Sequence, residues 1–272
     1  MINITRYSIK NPALLPWVKF IWHLESVAEV SINHKLLPSD SIDIILNMSD
    51  QVEYKIGNQI FTPDDFHFNG IRDQYGYVLQ QGPLNVFGIS FFPYGLFPVL
   101  RQPLSDYTNQ IVSLRSVSEV LQERFELALL PEASVNETVR SLEKALALIY
   151  MPNHTDQTAA ALLQDYCRRC QAVSIRGFCL NYKINIKTFE RLCLKYTGYP
   201  PKTLQRISRF QNASNQLIYS TPPENLAGLA YENDYYDQAH LTKEFRNYSG
   251  SSPGQFIKEN DTLKGNTKYT YK

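Results

Sequence analysis

The run "DQAHLTKEFRNYSG" (237–250) sets Gln238, Ala239, His240, Thr242, Lys243 and Arg246 around the part of a helical period that Leu241 and Phe245 leave free. The chemistry such side chains offer is hydrogen bonding and ion pairing. Gln suits adenine, the Ala methyl can meet a thymine methyl, and Thr, Lys and Arg suit phosphate. A second set stands upstream in "NIKTFERLCLKYTG" (185–198), where Lys187, Thr188, Glu190, Arg191 and Lys195 alternate with the apolar Phe189, Leu192 and Cys193. Arg can take guanine O6 and N7 together, and Glu can accept from cytosine N4. A solvated charged face would look the same on one helix. Two such faces in the same setting call for a common cause.

Other candidate chemistry is thinner. Cys167 and Cys170 form C-x-x-C, with Cys179 and Cys193 completing four thiols within 27 residues. Zinc sites pair two short-spaced clusters, and only one close pair exists here. The thiols read as buried and free, so no metal and no cofactor is expected. "DDFHF" (64–68) reads as solvated loop charge, since the five histidines are unpaired in sequence. Neither G-x-S-x-G nor a Gly-rich phosphate loop occurs, and no enzymatic activity is expected. Trp17, Trp22, Tyr75, Tyr77, Phe91 and Phe92 read as core or as the wall of a pocket. Should a small molecule bind there, Trp22, His23 and Arg72 are the candidate contacts.

The elements that must position the two polar faces form a doubled pattern. "SIRGFCLNYKINIKTFERLCLKYTGYPP" (174–201) reads as helix, turn, helix, then Gly and Pro, and "NLAGLAYENDYYDQAHLTKEFRNYSGSSP" (225–253) reads the same way. Asn185, and Asp237 or a neighbour, are the expected N-caps, and Gly198 and Gly250 are expected to close the helices. Cap to glycine is 13 residues in both, and the copies lie about 52 residues apart. Between them, 201–220 reads as one stiff helix. Such a spacer can set both second helices about 34 Å apart, one turn of DNA, on a single face.

The front half differs in texture. Residues 41–48, 52–57, 75–81 and 85–92 are rich in β-branched and aromatic residues and are punctuated by Gly, Pro, Asn and Asp, which predicts a small barrel or sandwich. Helical periods in "VSEVLQERFELALL" (117–130) and "NETVRSLEKALALIY" (136–150), broken at "PEAS", predict a hairpin. With 43% apolar and 19% charged residues the chain is folded rather than disordered. Its net charge of +1 averages unlike parts. Residues 1–110 hold 7 Lys/Arg against 10 Asp/Glu, whereas 155–260 hold 13 against 9, so a polyanion would meet the back half. "MINITRYSIKNPALLPW" carries no long apolar core, and "ISFFPYGLFPVL" is short and broken by Pro and Gly. The expectation is a reduced, cytoplasmic protein with no membrane contact.

Residues 160–258 resemble the AraC/XylS family of bacterial transcription regulators, most closely over "DQAHLTKEFRNYSGSSPGQF". "RISRFQNASNQLI" is similar to the family's linker helix and "NIKTFERLCLKYTGYPP" to its first recognition helix. "LPWVKFIWHLE" and "LLPSDSIDIILNMSD" resemble pieces of the cupin-like sensor domains of such regulators. The chain departs from the family at Lys183 and Asp234, where glycines are common, and at Cys193, where a large aromatic is usual. Lys tolerates a positive φ poorly.

The resemblance implies an α+β multidomain protein: a β-rich, cupin-like sensor domain over 1–110, a helical hairpin and linker over 111–154, a double helix-turn-helix domain over 155–260, and a flexible tail over 261–272. It implies a ligand-responsive regulator, an activator rather than a repressor, with double-stranded DNA, a small-molecule effector and RNA polymerase as partners and a homodimer paired through the hairpin. DNA contacts are expected from Lys187, Thr188, Glu190, Arg191, Lys195, Gln238, Ala239, His240, Thr242, Lys243 and Arg246. Two other readings stay open. One is a constitutive DNA-binding protein without a ligand; the other is a small-molecule-binding protein or enzyme with a vestigial DNA-binding domain.

Overall fold

The computed structural model describes residues 2–130, 132–219, 225–261 and 267–271. The front half opens with nine strands: β1 (Ile2–Ser8), β2 (Val18–Ser26), β3 (Val30–Leu36), β4 (Ile42–Asn47), β5 (Val52–Ile56), β6 (Gln59–Phe61), β7 (Phe66–Asn69), β8 (Gly76–Gly82) and β9 (Asn85–Phe91). There follow α1 (Phe97–Leu100), a 3₁₀ turn at Leu104–Tyr107, β10 (Ile111–Ser113), α2 (Leu114–Val117) and the hairpin α3 (Glu119–Ala128) and α4 (Val135–Ile149). The back half contains α5 (His154–Arg169), α6 (Ile175–Asn181), α7 (Ile186–Thr197), α8 (Pro201–Tyr219), α9 (Leu226–Glu232), α10 (Gln238–Ser249), α11 (Pro253–Asp261) and β11 (Thr267–Tyr271).

The strands make two sheets, ordered β10-β7-β4-β9-β2-β1-β11 and β3-β8-β5-β6. Pairing is antiparallel except for the β1–β11 edge. Period-two alternation decides what each face carries. On β4, Ile42, Ile44 and Leu46 join the main apolar core, while Asp43 and Asn47 alternate onto the opposite face. There Gln80 of the second sheet donates to Asn47 Oδ1 at 3.0 Å, and Tyr54 meets His67 at 2.9 Å. The space between the sheets therefore holds polar pairs beside a small apolar cluster of Val52, Tyr54, Ile56 and Ile111.

Three expectations change. "DDFHF" is a loop only at Asp64 and Asp65, which are exposed; Phe66–Asn69 forms β7 with His67 wholly buried. Strand pairing to β4 and β10 overrides the loop composition. The linker expected to run to 154 stops short of it, because Asn153 and Asp156 form a capping box that starts α5 at His154. Within the tail expected to be flexible, 267–271 forms a strand on β1, since an edge strand offers unpaired backbone groups to any extended neighbour.

The apolar core does not stop at the sheets. One cluster runs from the larger sheet through α3, α4, α5, α6 and α7 to Leu204 and Ile207 of α8. A second, from Phe210 to Phe256, lies among α8, α9, α10 and α11. The change-over falls inside α8. No helix among the described residues is long and apolar enough to cross a membrane.

Candidate nucleic-acid interface

Each half of the doubled pattern is a helix, a turn with one left-handed residue, and a second helix. In the first, α6 ends at Asn181 and Lys183 takes φ +51°, with Ile184 N–H donating to Cys179 O at 3.0 Å. In the second, α9 ends at Glu232 and Asp234 takes φ +56°, with Tyr235 N–H donating to Ala230 O at 2.9 Å. These are the two positions where glycine was the family expectation, and the backbone there has the geometry that favours glycine. The turn then differs by one residue. Asn185 caps α7 by accepting from Lys187 N–H at 2.9 Å, whereas Asp237 caps α10 by accepting from His240 N–H at 2.7 Å. Tyr236 is the extra residue and is 93% exposed. Both second helices stop on a left-handed glycine, Gly198 and Gly250.

Spacing places the side chains as expected. Phe189 and Cys193 are fully buried and Leu192 half-buried; Lys187, Thr188, Glu190, Arg191 and Lys195 are exposed. On α10, Leu241 and Phe245 are fully buried. Gln238, Ala239, Lys243 and Arg246 are exposed, and His240 and Thr242 half-exposed. Gln238, Ala239, Thr242, Lys243 and Arg246 line one open groove together with Asn247, which the spacing argument passed over. Residues 179–259 match the family described as "Helix-turn-helix domain". The back half is an AraC-type helix-turn-helix domain.

Residues 11–113 match a domain of unknown function, DUF6597. No curated protein matches the chain. Among solved structures, ToxT from Vibrio cholerae is 9% identical, with 85% of this chain and 98% of that chain covered and a TM-score of 0.42. ToxT bound to (E)-4-(8-methylnaphthalen-1-yl)but-3-enoic acid is 10% identical over the same shares, with a TM-score of 0.43. The AraC-like transcriptional activator CuxR is 13% identical over 72% of this chain and 77% of that chain, with a TM-score of 0.31.

The helix-turn-helix domain is tied to the front half at both of its closing glycines. A Cβ on Gly198 would lie 3.0 Å from Ile71 and from the Leu104 carbonyl, and the Thr108 hydroxyl donates to Gly198 O at 3.3 Å. Tyr199 Oη donates to Ile71 O at 3.4 Å, and the Phe97 and Tyr196 rings are 4.2 Å apart. Lys195 Nζ sits 4.8 Å over the Phe97 ring, so one exposed cation of α7 rests on the front half. Asp156 receives Arg101 at 2.6 Å and Tyr196 Oη at 2.9 Å. Its burial would raise the carboxyl pKa, but these hydrogen bonds hold it below the usual range. Gly250 abuts the Tyr75 ring, and Lys35 reaches Glu259 at 2.7 Å and Ser251 at 3.1 Å.

The remaining candidates fall into two groups. The four cysteines are free, and three are buried. Burial pushes the Cys167 thiol up to about 12 and the other three upward, which keeps them protonated and poor as ligands or nucleophiles. No cluster of His, Cys, Asp or Glu suited to a metal occurs among the described residues. Of the three ligand candidates, Trp22 and Arg72 come together around Asp43, between the sheets: Trp22 hydrogen-bonds Asp43, and Arg72 acts on it by charge. His23 alternates to the opposite face, where it bonds Asn85 at 2.9 Å and stacks on Phe87. Asp43 also accepts from the Ser90 hydroxyl, and burial raises its carboxyl pKa. Arg72 is buried, and among the described residues its Nε has no hydrogen-bond partner.

Proposed function

We propose that the chain is a sequence-specific DNA-binding transcription regulator that inserts α7 and α10 into successive major grooves. One observation carries this reading: two helices of equal length, each with a side-chain N-cap and a closing left-handed glycine, expose polar faces in the two units that α8 joins. Lys187, Glu190 and Arg191 of the first helix, and Gln238, Ala239, His240 and Lys243 of the second, would read base edges. Thr188, Lys195, Thr242 and Arg246 would hold phosphates.

Response to an effector is supported by the path between the sheets and the glycines. Arg72 lies beside Asp43, and its neighbour Ile71 holds Tyr199 and abuts Gly198. A small molecule that engages Arg72 would favour one setting of this loop and so one setting of the first unit. Pairing of two chains through the hairpin is supported by Val120, Leu127 and Leu148, which expose their apolar side chains. Activation is the direction the resemblance implies.

The test is selection from random duplexes by the full chain, followed by titration of the winner. Two enriched blocks one helical turn apart are expected, and Arg191→Ala and Lys243→Ala should each weaken specific binding by about 1–3 kcal/mol. Wild-type curves for both variants would sink the assignment of these residues. No enrichment would sink the regulator reading itself.

A further inference from the structure

The linker helix carries a charge pattern that the two recognition helices do not account for. Lys202, Arg206 and Arg209 recur at intervals of four and three and so share one face of α8. With Gln205 they line an open cleft whose other wall is His240, Lys243, Glu244 and Asn247 of α10. Four cations thus stand against one carboxylate. Lys243 lines this cleft and also the outward groove of α10, so the cleft runs into the proposed reading face. Gln205 is held on the opposite side by the carbonyls of Cys170 and Val173, which ties this stretch of α8 to the first unit.

The cations are not equivalent. Arg206 Nε donates to Glu244 Oε1 at 2.7 Å, and its guanidinium also lies over the Tyr248 ring. Glu244 is buried, and its second oxygen meets no hydrogen-bond donor at normal geometry among the described residues. Lys202 is exposed, and among the described residues no ion pair holds it or Arg209, whose guanidinium rests 5.2 Å over Tyr235. Two helices in successive major grooves leave a sugar–phosphate strand crossing between them, and α8 is the element that joins those helices.

We propose that this cleft binds a DNA backbone phosphodiester where the strand passes between the two grooves, with Lys202 and Arg209 as its donors. Glu244 keeps Arg206 engaged within the protein and so limits how strongly the cleft attracts DNA of any sequence. The proposal rests on the DNA-reading function above. Because it concerns phosphate and not bases, it predicts a sequence-independent effect with a distinct salt signature.

The experiment uses the full chain and two labelled duplexes, one random and one selected, titrated from low to physiological salt. Lys202→Gln with Arg209→Gln keeps the stems that pack along the helix. It should weaken both duplexes by the same factor and lower the slope of log K against log salt by about 0.9 for each phosphate lost. Glu244→Gln should tighten the random duplex and steepen its slope. Lys202→Glu alone, at an exposed position, repeats the test should the double variant unfold. Wild-type slopes in the double variant, or a loss confined to the selected duplex, would overturn the phosphate site while the recognition helices stand. Absence of salt-dependent binding by the wild type to either duplex would overturn the DNA-reading function and this site with it.

Discussion

The two helix-turn-helix units share caps, left-handed turns and closing glycines, yet they are held in place differently. Phe178, Phe189 and Cys193 of the first belong to the same apolar cluster as the sheets and the hairpin. Phe210, Leu241, Phe245 and Phe256 make a separate core for the second. The first unit is therefore built into the front half, and the second hangs on α8 with lighter ties at Lys35, Leu37 and Tyr75. The difference teaches that one motif can serve as structural partner of a sensor and, in its copy, as a nearly self-contained reader.

The most direct way to break the comparison is to empty each core. Phe189→Ala and Phe245→Ala each remove a ring with no exposed surface and should cost about 3–5 kcal/mol. The consequences should differ. Phe189→Ala is expected to lower the unfolding temperature of the front half and first unit together, whereas Phe245→Ala should split off an early transition of the second unit. Calorimetry of both variants, with exchange of β9 and α10 amides followed separately, checks this. Equal effects on β9 protection would mean a single cooperative unit.

Acid sharpens the same contrast from the front half. His67 Nδ1–H donates to the Asp64 carbonyl, so Nε2 is left to accept from Tyr54, and the ring is neutral. Burial holds its pKa down at about 4. An unfolded His titrates near 6.5, so below that pH the unfolded chain takes up a proton that the folded chain refuses. Stability from the neutral ring is complete above about 6.5 and falls as pH drops towards 4, by up to about 3 kcal/mol. His67→Gln should remove this slope relative to wild type, read by denaturant unfolding at several pH values. The loss should be seen in the front half and first unit and spare α10.

The closing glycines give a smaller, graded test. Gly198 has φ +84°, and a Cβ there would crowd Ile71 and the Leu104 carbonyl, which cannot move alone. Gly250 has φ +72°, but the crowding atoms belong to the half-buried Tyr75 ring, which can swing away. Alanine costs about 1–2 kcal/mol at either left-handed position, and Gly198→Ala should cost at least about 1 kcal/mol more than Gly250→Ala. Thermal melts of the two variants decide it. The reverse order would show that the second unit is docked as firmly as the first.

Both units were legible from local chemistry alone. Asn185, Asp237, Gly198 and Gly250 act through hydrogen bonds and φ values set within a few residues, and Leu241 and Phe245 through helical period. The front half was partly legible. Residues 41–48 and 85–92 alternate or run apolar as central strands do, whereas β7 was hidden in "DDFHF" because its burial comes from β4 and β10, distant in sequence. The side on which His23 falls depends on the register of β2 against β9, which no local pattern fixes. The cleft between α8 and α10 was missed because Lys202 and Arg209 look like solvated charge until the opposing helix is in place. The one-residue difference between the turns was masked by the equal cap-to-glycine lengths.

The smallest expected effect tests the turns themselves. Lys183 and Asp234 hold left-handed φ values of +51° and +56°, and side chains pay for that conformation unequally. Asp can hydrogen-bond locally and visits the region readily, while Lys has no such compensation. Glycine at either site removes the steric cost but adds about 0.5–1 kcal/mol of backbone entropy lost on folding. Lys183→Gly should therefore gain a few tenths of a kcal/mol, and Asp234→Gly should change little or lose slightly. Paired melts of the two variants read the sign. A gain at Asp234 equal to that at Lys183 would mean that steric strain alone governs both turns, and that the extra residue in the turn of the second unit relieves nothing.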